Sequence, residues 1–212
     1  MKPANDPDVD YKAFVRQAYD RCAATYNQTR AGEACPEFGL LTSRVQEGAC
    51  VLDVGCGGGI PVTRALAERF TVTGVDISAE QIRLARANVP HAQFVEADVM
   101  SVDFPPATFD AVIAFYVLFH LPREEHPELL QRIHGWLKPG GYLFATLSMD
   151  DEAPYTEEDF FGVPMYWSNY GLATYRRTLT EIGFSLLETT TIGHGFGDER
   201  ESESHPLILA RK

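Results

Sequence analysis

The stretch from Val51 to Pro61 constrains this chain more than any other. Val51-Leu52-Asp53-Val54 favours a short buried strand, and Gly55-Cys56-Gly57-Gly58-Gly59 follows at once. An apolar-striped segment then begins at Pro61. A glycine turn between a strand and a helix start brings backbone N–H groups close to a ligand, with no side chain in the way. The rest of the chain reads as a sheet built outward from this strand.

Pro61 to Arg69 predicts a helix, because proline is tolerated in a first turn whose N–H has no partner. Thr71 to Asp76 predicts a second strand. Ser78 with Gln81 three residues later resembles a capping box and opens a helix ending before Pro90. Ala92–Asp98 and Phe109–Phe115 predict a third and a fourth strand, the latter buried on both faces. A helix over Arg123–Leu137 is stopped by Pro139-Gly140-Gly141, and Tyr142–Leu147 is the fifth strand. Strand and helix alternate, which predicts a parallel sheet with helices on both faces. The tail differs. Ser168–Ile182 reads as a helix ended by Gly183, and Phe184–Ile192 and His205–Ala210 as strands. The residues between those two strands are too few for a crossover helix, so the last strand should run antiparallel. The fold class is therefore α/β: a doubly wound, mostly parallel seven-stranded sheet with an antiparallel last strand.

Ahead of the glycine turn, Met1–Pro7 is expected to be a mobile end. A helical pattern starts at Val9, with Phe14, Ala18 and Cys22 on one stripe; Tyr19 and Tyr26, seven apart, can share a face. A second helix is expected over Glu37–Gln46. Between the fifth strand and the next helix, Ser148–Trp167 carries six acidic residues and no basic one, then Phe160, Phe161, Tyr166 and Trp167. A loop of that length inside a compact domain is more often functional than idle. One domain with four parts follows: a helical cap (1–48), a cofactor core (49–147), an acidic and aromatic lid (148–170), and a C-terminal helix and hairpin (171–212).

The formal net charge of −12 opposes nucleic acid and anionic lipid as partners. No apolar run reaches about 18 residues, so no membrane span is expected. Met1–Asp10 is unlike a signal peptide, and a cytoplasmic protein, monomer or homodimer, is expected. Cys22, Cys35, Cys50 and Cys56 fit no common zinc spacing; reduced thiols and no metal are expected.

Two ligands compete for the glycine turn. A dinucleotide fingerprint needs a glycine where Ile60 stands, and the acid at Asp53 would oppose a pyrophosphate. The same acid suits S-adenosylmethionine, which has a positive amine, a positive sulfonium and no phosphate. Asp76 and Asp98 end the second and third strands. There one carboxylate can accept from ribose hydroxyls and the other from an adenine amine. A dinucleotide-dependent oxidoreductase and a non-catalytic cofactor-binding module on the same fold are the alternatives.

With Gly74-Val75-Asp76-Ile77-Ser78, Glu96-Ala97-Asp98-Val99, Phe109-Asp110-Ala111-Val112 and Leu137-Lys138-Pro139-Gly140-Gly141 beside the glycine turn, the chain resembles a class I, seven-stranded S-adenosylmethionine-dependent methyltransferase of the small-molecule type. The resemblance implies that Asp53, Gly55, Cys56 and Gly57 line the methionine part, and that Asp76 binds the ribose. It implies that Ile77 packs on the adenine, that Asp98 and Val99 meet its edge, and that Phe115 and Tyr116 border the sulfonium. Tyr19-Asp20-Arg21-Cys22-Ala23-Ala24-Thr25-Tyr26 is similar to a Tyr-Asp-x-x-Ala-x-x-Tyr segment that closes over the cofactor in such enzymes. S-adenosylhomocysteine would be the product.

Methyl transfer needs the acceptor in line with the sulfur–methyl bond at about 3 Å. A hydroxyl acceptor also needs a base, an amine must be neutral and a thiol must ionise. His120, in the loop after the fourth strand, is the leading base candidate, with Tyr116 beside it. Tyr166, Trp167 and Tyr170 offer flat apolar surface for a small aromatic or hydrophobic acceptor. His194, in a Gly-His-Gly turn, is placed at the pocket mouth. His126 and His134 are expected as surface or packing residues.

Overall fold

The computed structural model describes residues 2–4, 9–31, 38–194 and 203–212. A short strand β1 (Lys2–Pro3) precedes α1 (Tyr11–Arg30) and α2 (Phe38–Thr42). The core runs β2 (Cys50–Val54), α3 (Val62–Ala67), β3 (Thr71–Asp76), α4 (Ala79–Asn88), β4 (Gln93–Glu96), β5 (Phe109–Ala114), α5 (His126–Trp136) and β6 (Leu137–Thr146). There follow β7 (Glu152–Phe160), β8 (Val163–Asn169), α6 (Leu172–Ile182), β9 (Ser185–His194) and β10 (Glu203–Arg211).

Among the described residues the strands form a seven-stranded sheet, in the order β4-β3-β2-β5-β6-β10-β9, and a three-stranded one, β1-β7-β8. In the large sheet β2 lies between β3 and β5 and is parallel to both. β10 enters antiparallel between β6 and β9. Period-two alternation sends Leu52, Val54 and Val112 to one apolar layer and Val51, Ala111 and Ile113 to the other. Both layers are covered, so β2 is apolar at every position except Asp53. The connection from β2 goes to one side of the sheet and β5 lies on the other. That reversal leaves a crevice at the carboxyl ends of β2 and β5.

The expected architecture is present, with local corrections. α2 spans only Phe38–Thr42. The Pro139-Gly140-Gly141 stretch does not itself stop α5, which ends at Trp136, but lies inside β6, where Leu137 already pairs with Phe109 and the register then shifts. Asp10 caps α1 by accepting the N–H of Ala13 at 3.0 Å, and Ser78 caps α4 by accepting that of Gln81 at 3.1 Å. Gln81 does not return the bond expected of a capping box, because its side chain turns to α1. Of the two roles expected for His126, surface or packing, it takes the second: it is fully buried, and its Nδ1 lies 2.8 Å from the Tyr175 hydroxyl.

Two segments differ more. The acidic and aromatic insertion is a β-hairpin, β7–β8, not an irregular loop. Its turn, Phe161-Gly162, has φ of 52° and 83°. Two left-handed residues between paired positions Phe160 and Val163 make the tight turn that matches strand twist. The N-terminal end is not wholly loose: Lys2 pairs with Thr156, and the Ala4 N–H bonds to the Pro154 carbonyl at 2.9 Å. An open edge of β7 offers unpaired backbone groups, and β1 satisfies them. Ala4, Val15, Ala18, Met165 and Tyr166 form a third apolar cluster that joins α1 to the hairpin. Residues 195–202, Cys35 and the rest of the expected mobile end lie outside the described residues.

Candidate active site

A cavity open to solvent on one side, with about 690 Å³ of free space counting its open mouth, occupies the crevice at the strand ends. Gly55 and Gly57 form the floor. Val75 and Asp76 come from β3 and Ile77 from just beyond it, and Ala97, Asp98 and Val99 from beyond β4. Phe115, Tyr116, Val117, His120 and Leu121 follow β5, while Lys12, Val15, Tyr19 and Tyr26 of α1 form the roof.

The floor is glycine for steric reasons. Gly55 has φ of 68°, and a Cβ there would lie 2.6 Å from Val117 Cγ2. Gly58 is overlain by α1: a Cβ there would lie 1.7 Å from Asn27 Oδ1. Asn27 cannot yield easily, since its Nδ2 donates to Ala23 O at 2.8 Å and to Gln81 Oε1 at 2.6 Å. Gly58→Ala is therefore expected to push α1 off the turn and cost about 1–3 kcal/mol. Urea unfolding of the variant checks this, and adding Asn27→Ala should recover part of the loss.

Asp76 organises the turn. Its Oδ2 accepts the Gly57 N–H and its Oδ1 the Ser78 N–H, each at 2.9 Å. Each oxygen keeps a further acceptor position. Burial raises its pKa to about 6, against the opposing pull of those two N–H groups. Asp98 accepts the Met100 N–H at 2.9 Å and the Lys12 ammonium at 2.8 Å.

The His120 ring sits in a 3₁₀ turn, Leu118–His120, and is buried. Its Nδ1 lies 3.0 Å from the Tyr166 carbonyl, which only accepts, so the ring proton is assigned to Nδ1. Nε2 then accepts the Tyr19 hydroxyl proton at 2.9 Å. Burial lowers the His120 pKa to about 4 and raises that of Tyr19 well above its usual range. Near neutrality the pair is an imidazole and a phenol. Because Tyr19 occupies the acceptor nitrogen, a proton reaching His120 passes through that phenol. Toward the cavity, the Tyr19 oxygen offers lone pairs only.

Eleven expected site residues thus border one cavity: Tyr19, Tyr26, Gly55, Gly57, Asp76, Ile77, Asp98, Val99, Phe115, Tyr116 and His120. Others do not. Asp53 is buried beneath the turn; its Oδ2 accepts the Thr63 hydroxyl at 2.6 Å, and burial raises its pKa to about 7. Cys56 faces back toward Gly74, whose added Cβ would lie 2.8 Å from its Sγ. Tyr166 is buried in the hairpin cluster and stacks on Tyr11 at 4.4 Å. Trp167 lies behind His120, ring centroids 4.4 Å apart. Tyr170 packs under Arg123 at 5.1 Å. Tyr166 and Trp167 are spent on packing the hairpin and Tyr170 on packing against Arg123 and His126, and this is why they do not line the cavity. His194 lies in β9 opposite Glu203, not in a turn, and its side chain is outside the described residues.

Lys12, Asp20, Asn27 and Gln81 were not legible as site residues. Asp20 accepts the Ser78 hydroxyl at 2.6 Å and the Glu80 N–H at 3.2 Å, tying α1 to α4. The one sequence signal is position: Asp20 and Asn27 each follow a tyrosine of the roof.

A cationic nucleoside fits this donor set. The carboxylates Asp76 and Asp98 retain acceptor capacity, and beside Gly57 the buried Gln81 Nε2 has no partner among the described residues. Among the described residues no phosphate-binding cluster of cations lines the cavity; the one lysine or arginine there is Lys12, already paired. Among the described residues no group of three His, Cys, Asp or Glu could hold a metal ion, and no helix is long and apolar enough to cross a membrane.

Residues 51–141 match the family model described as a methyltransferase domain. Over 108 residues the chain is 42% identical to an uncharacterized methyltransferase of Mycobacterium tuberculosis (strain ATCC 25618 / H37Rv), covering 49% of this chain and 53% of the relative. It is 29% identical to methyltransferase GfsG of Streptomyces halstedii, covering 99% and 85%. The chain spans about half the length of the first curated relatives it matches. In fold it is similar to the Burkholderia thailandensis 1,6-didemethyltoxoflavin-N1-methyltransferase solved with S-adenosylhomocysteine. The TM-score is 0.74 at 21% identity, over 99% of this chain and 93% of that one.

Proposed function

We propose that the chain is a class I S-adenosylmethionine-dependent methyltransferase, as its methyltransferase-domain match supports, and that it methylates an oxygen, nitrogen or sulfur atom of a small, aromatic or hydrophobic molecule. One observation carries the reading: a single cavity joins the carboxylates at the ends of β3 and β4 to the Tyr19–His120 pair. The bound donor supplies a methyl group on cationic sulfur and departs as the neutral thioether S-adenosylhomocysteine.

The residues divide the work. Asp76 accepts from the ribose hydroxyls with the positions its two N–H partners leave open. Ile77 packs on the adenine, and Asp98 and Val99 meet its edge. Gly55 and Gly57 admit the methionine part. Phe115 and Tyr116 border the sulfur, with Tyr19 and Tyr26 closing from above. Catalysis then rests on alignment in a dry pocket. An acceptor that must lose a proton gives it to the Tyr19 oxygen, while the phenolic proton moves to His120 Nε2. Tyr166 holds the opposite ring nitrogen. Asp53 and Cys56 support the turn from behind.

The small-molecule part draws support from the net charge of −12, which repels nucleic acid. The solved relative named for 1,6-didemethyltoxoflavin points the same way. Calorimetry with S-adenosylhomocysteine should give one site in the micromolar range. A panel of phenols, amines and thiols, followed by release of the homocysteine product, identifies the acceptor atom. Absence of S-adenosylhomocysteine binding would end the reading.

A further inference from the structure

Among the described residues, Lys12 is the one polar side chain lining the cavity to which the donor site gives no role. It stands in the first turn of α1, part-exposed, with its ammonium 2.8 Å from Asp98 Oδ2 and 2.8 Å from Glu125 Oε2. The three groups come from separate segments: the roof helix, the turn after β4 and the turn before α5. An ordinary surface ion pair contributes little to stability. This one differs in place. It closes the end of the cavity where Asp98 stands, and it fixes the one oxygen of that carboxylate which the Met100 N–H does not hold. Further along α1, Tyr19 meets His120, Asp20 meets Ser78 and Asn27 meets Gln81. Lys12 is thus the pin that joins the roof to the base-binding end.

We infer that Lys12 is a specificity-determining residue for the donor's base: from the roof helix it orients Asp98 to accept the exocyclic amine of adenine. The inference rests on the donor reading above. Two donors, Met100 N–H and the Lys12 ammonium, define the plane of the carboxylate. An amine on the purine then meets an oxygen already aimed at it, at no further ordering cost. Without Lys12 the Oδ2 side is free to turn. Glu125, no longer neutralised, adds a second negative group nearby. Burial acts to lower the Lys12 pKa, but the two carboxylates outweigh it and the ammonium is held above its ordinary value. It is therefore charged throughout the working range.

The test is a cycle between residue and ligand. Wild type, Lys12→Met and Lys12→Arg are titrated calorimetrically with S-adenosylhomocysteine and with its 6-deamino analogue, in which purine replaces adenine. Wild type should prefer the amine-bearing ligand. Lys12→Met should lose about tenfold in affinity for S-adenosylhomocysteine, the order of one charge-assisted hydrogen bond. It should lose much less for the analogue, so that the preference collapses, and Lys12→Arg should restore it. Because the preference is a ratio within one variant, loss of folded protein does not imitate it. Equal weakening of both ligands, or no weakening of either, overturns the assignment while leaving the donor reading intact. Failure of wild type to bind S-adenosylhomocysteine overturns the donor reading itself.

Discussion

Asp76→Ala is expected to abolish donor binding. The substitution removes the proposed acceptor for two ribose hydroxyls and, at the same time, the partner of the Gly57 and Ser78 N–H groups. Each lost charge-assisted bond weighs about 1.5–3 kcal/mol, so affinity for S-adenosylhomocysteine should fall by about a hundredfold or more. Asp76→Asn separates the two effects, since its side-chain oxygen can still accept one N–H. That variant should melt close to wild type yet bind weakly. Titration gives a second signature. Burial holds the Asp76 carboxyl at about 6, and the hydroxyl-accepting form is the ionised one. Affinity should be constant above that pH and weaken as pH falls through it, approaching about tenfold per unit. An Asp76→Ala protein that binds S-adenosylhomocysteine like wild type would remove the ribose assignment.

The second large effect is on turnover. Tyr19→Phe keeps the ring that roofs the cavity but removes the oxygen bonded to His120 Nε2. For an acceptor that sheds a proton, kcat should drop about a hundredfold or more. Affinity for S-adenosylhomocysteine should change little. His120→Ala should cost a similar factor, and the double variant no more than the worse single one, because the two groups act as a unit. For a thioether acceptor, which loses no proton, Tyr19→Phe should cost far less. With His120 held near 4, its ionisation adds no limb to the rate profile between pH 6 and 8. Full activity of Tyr19→Phe on a phenol would rule out the relay.

The core of the fold was legible because local signals agreed there. The apolar strand Val51–Val54, the glycines and the acids at strand ends each demand the same parallel sheet. The short link between the last two strands fixes the reversal of β10. The hairpin was not legible. β7 carries Glu157, Glu158 and Asp159 in place of an alternating apolar pattern, and Pro154 argues against a strand. Its pairing with β1 depends on residues more than 150 positions away. For the same reason the aromatic residues at 166, 167 and 170 looked like an acceptor surface, when tertiary packing uses Tyr166 and Trp167 to hold the hairpin to α1 and sets Tyr170 against Arg123 and His126. Lys12 left no trace in the sequence, because a lysine in a first helical turn is indistinguishable from a solvated one until Asp98 and Glu125 are brought beside it. Asp53 did carry a signal, but one sited too deep: it faces Thr63, not the cavity.

The third apolar cluster has a consequence for folding order. Ala4 and Val15 lie at one end of the chain, Met165 and Tyr166 far along it, and neither segment buries its apolar face alone. Joining them closes a loop that contains nearly the whole parallel sheet, at an entropic cost that nearby contacts do not carry. The sheet is therefore expected to form with its crevice uncovered, and the roof to assemble on it afterwards. A donor present at that stage meets an open binding edge, so ligand capture and completion of the native state can be one coupled step.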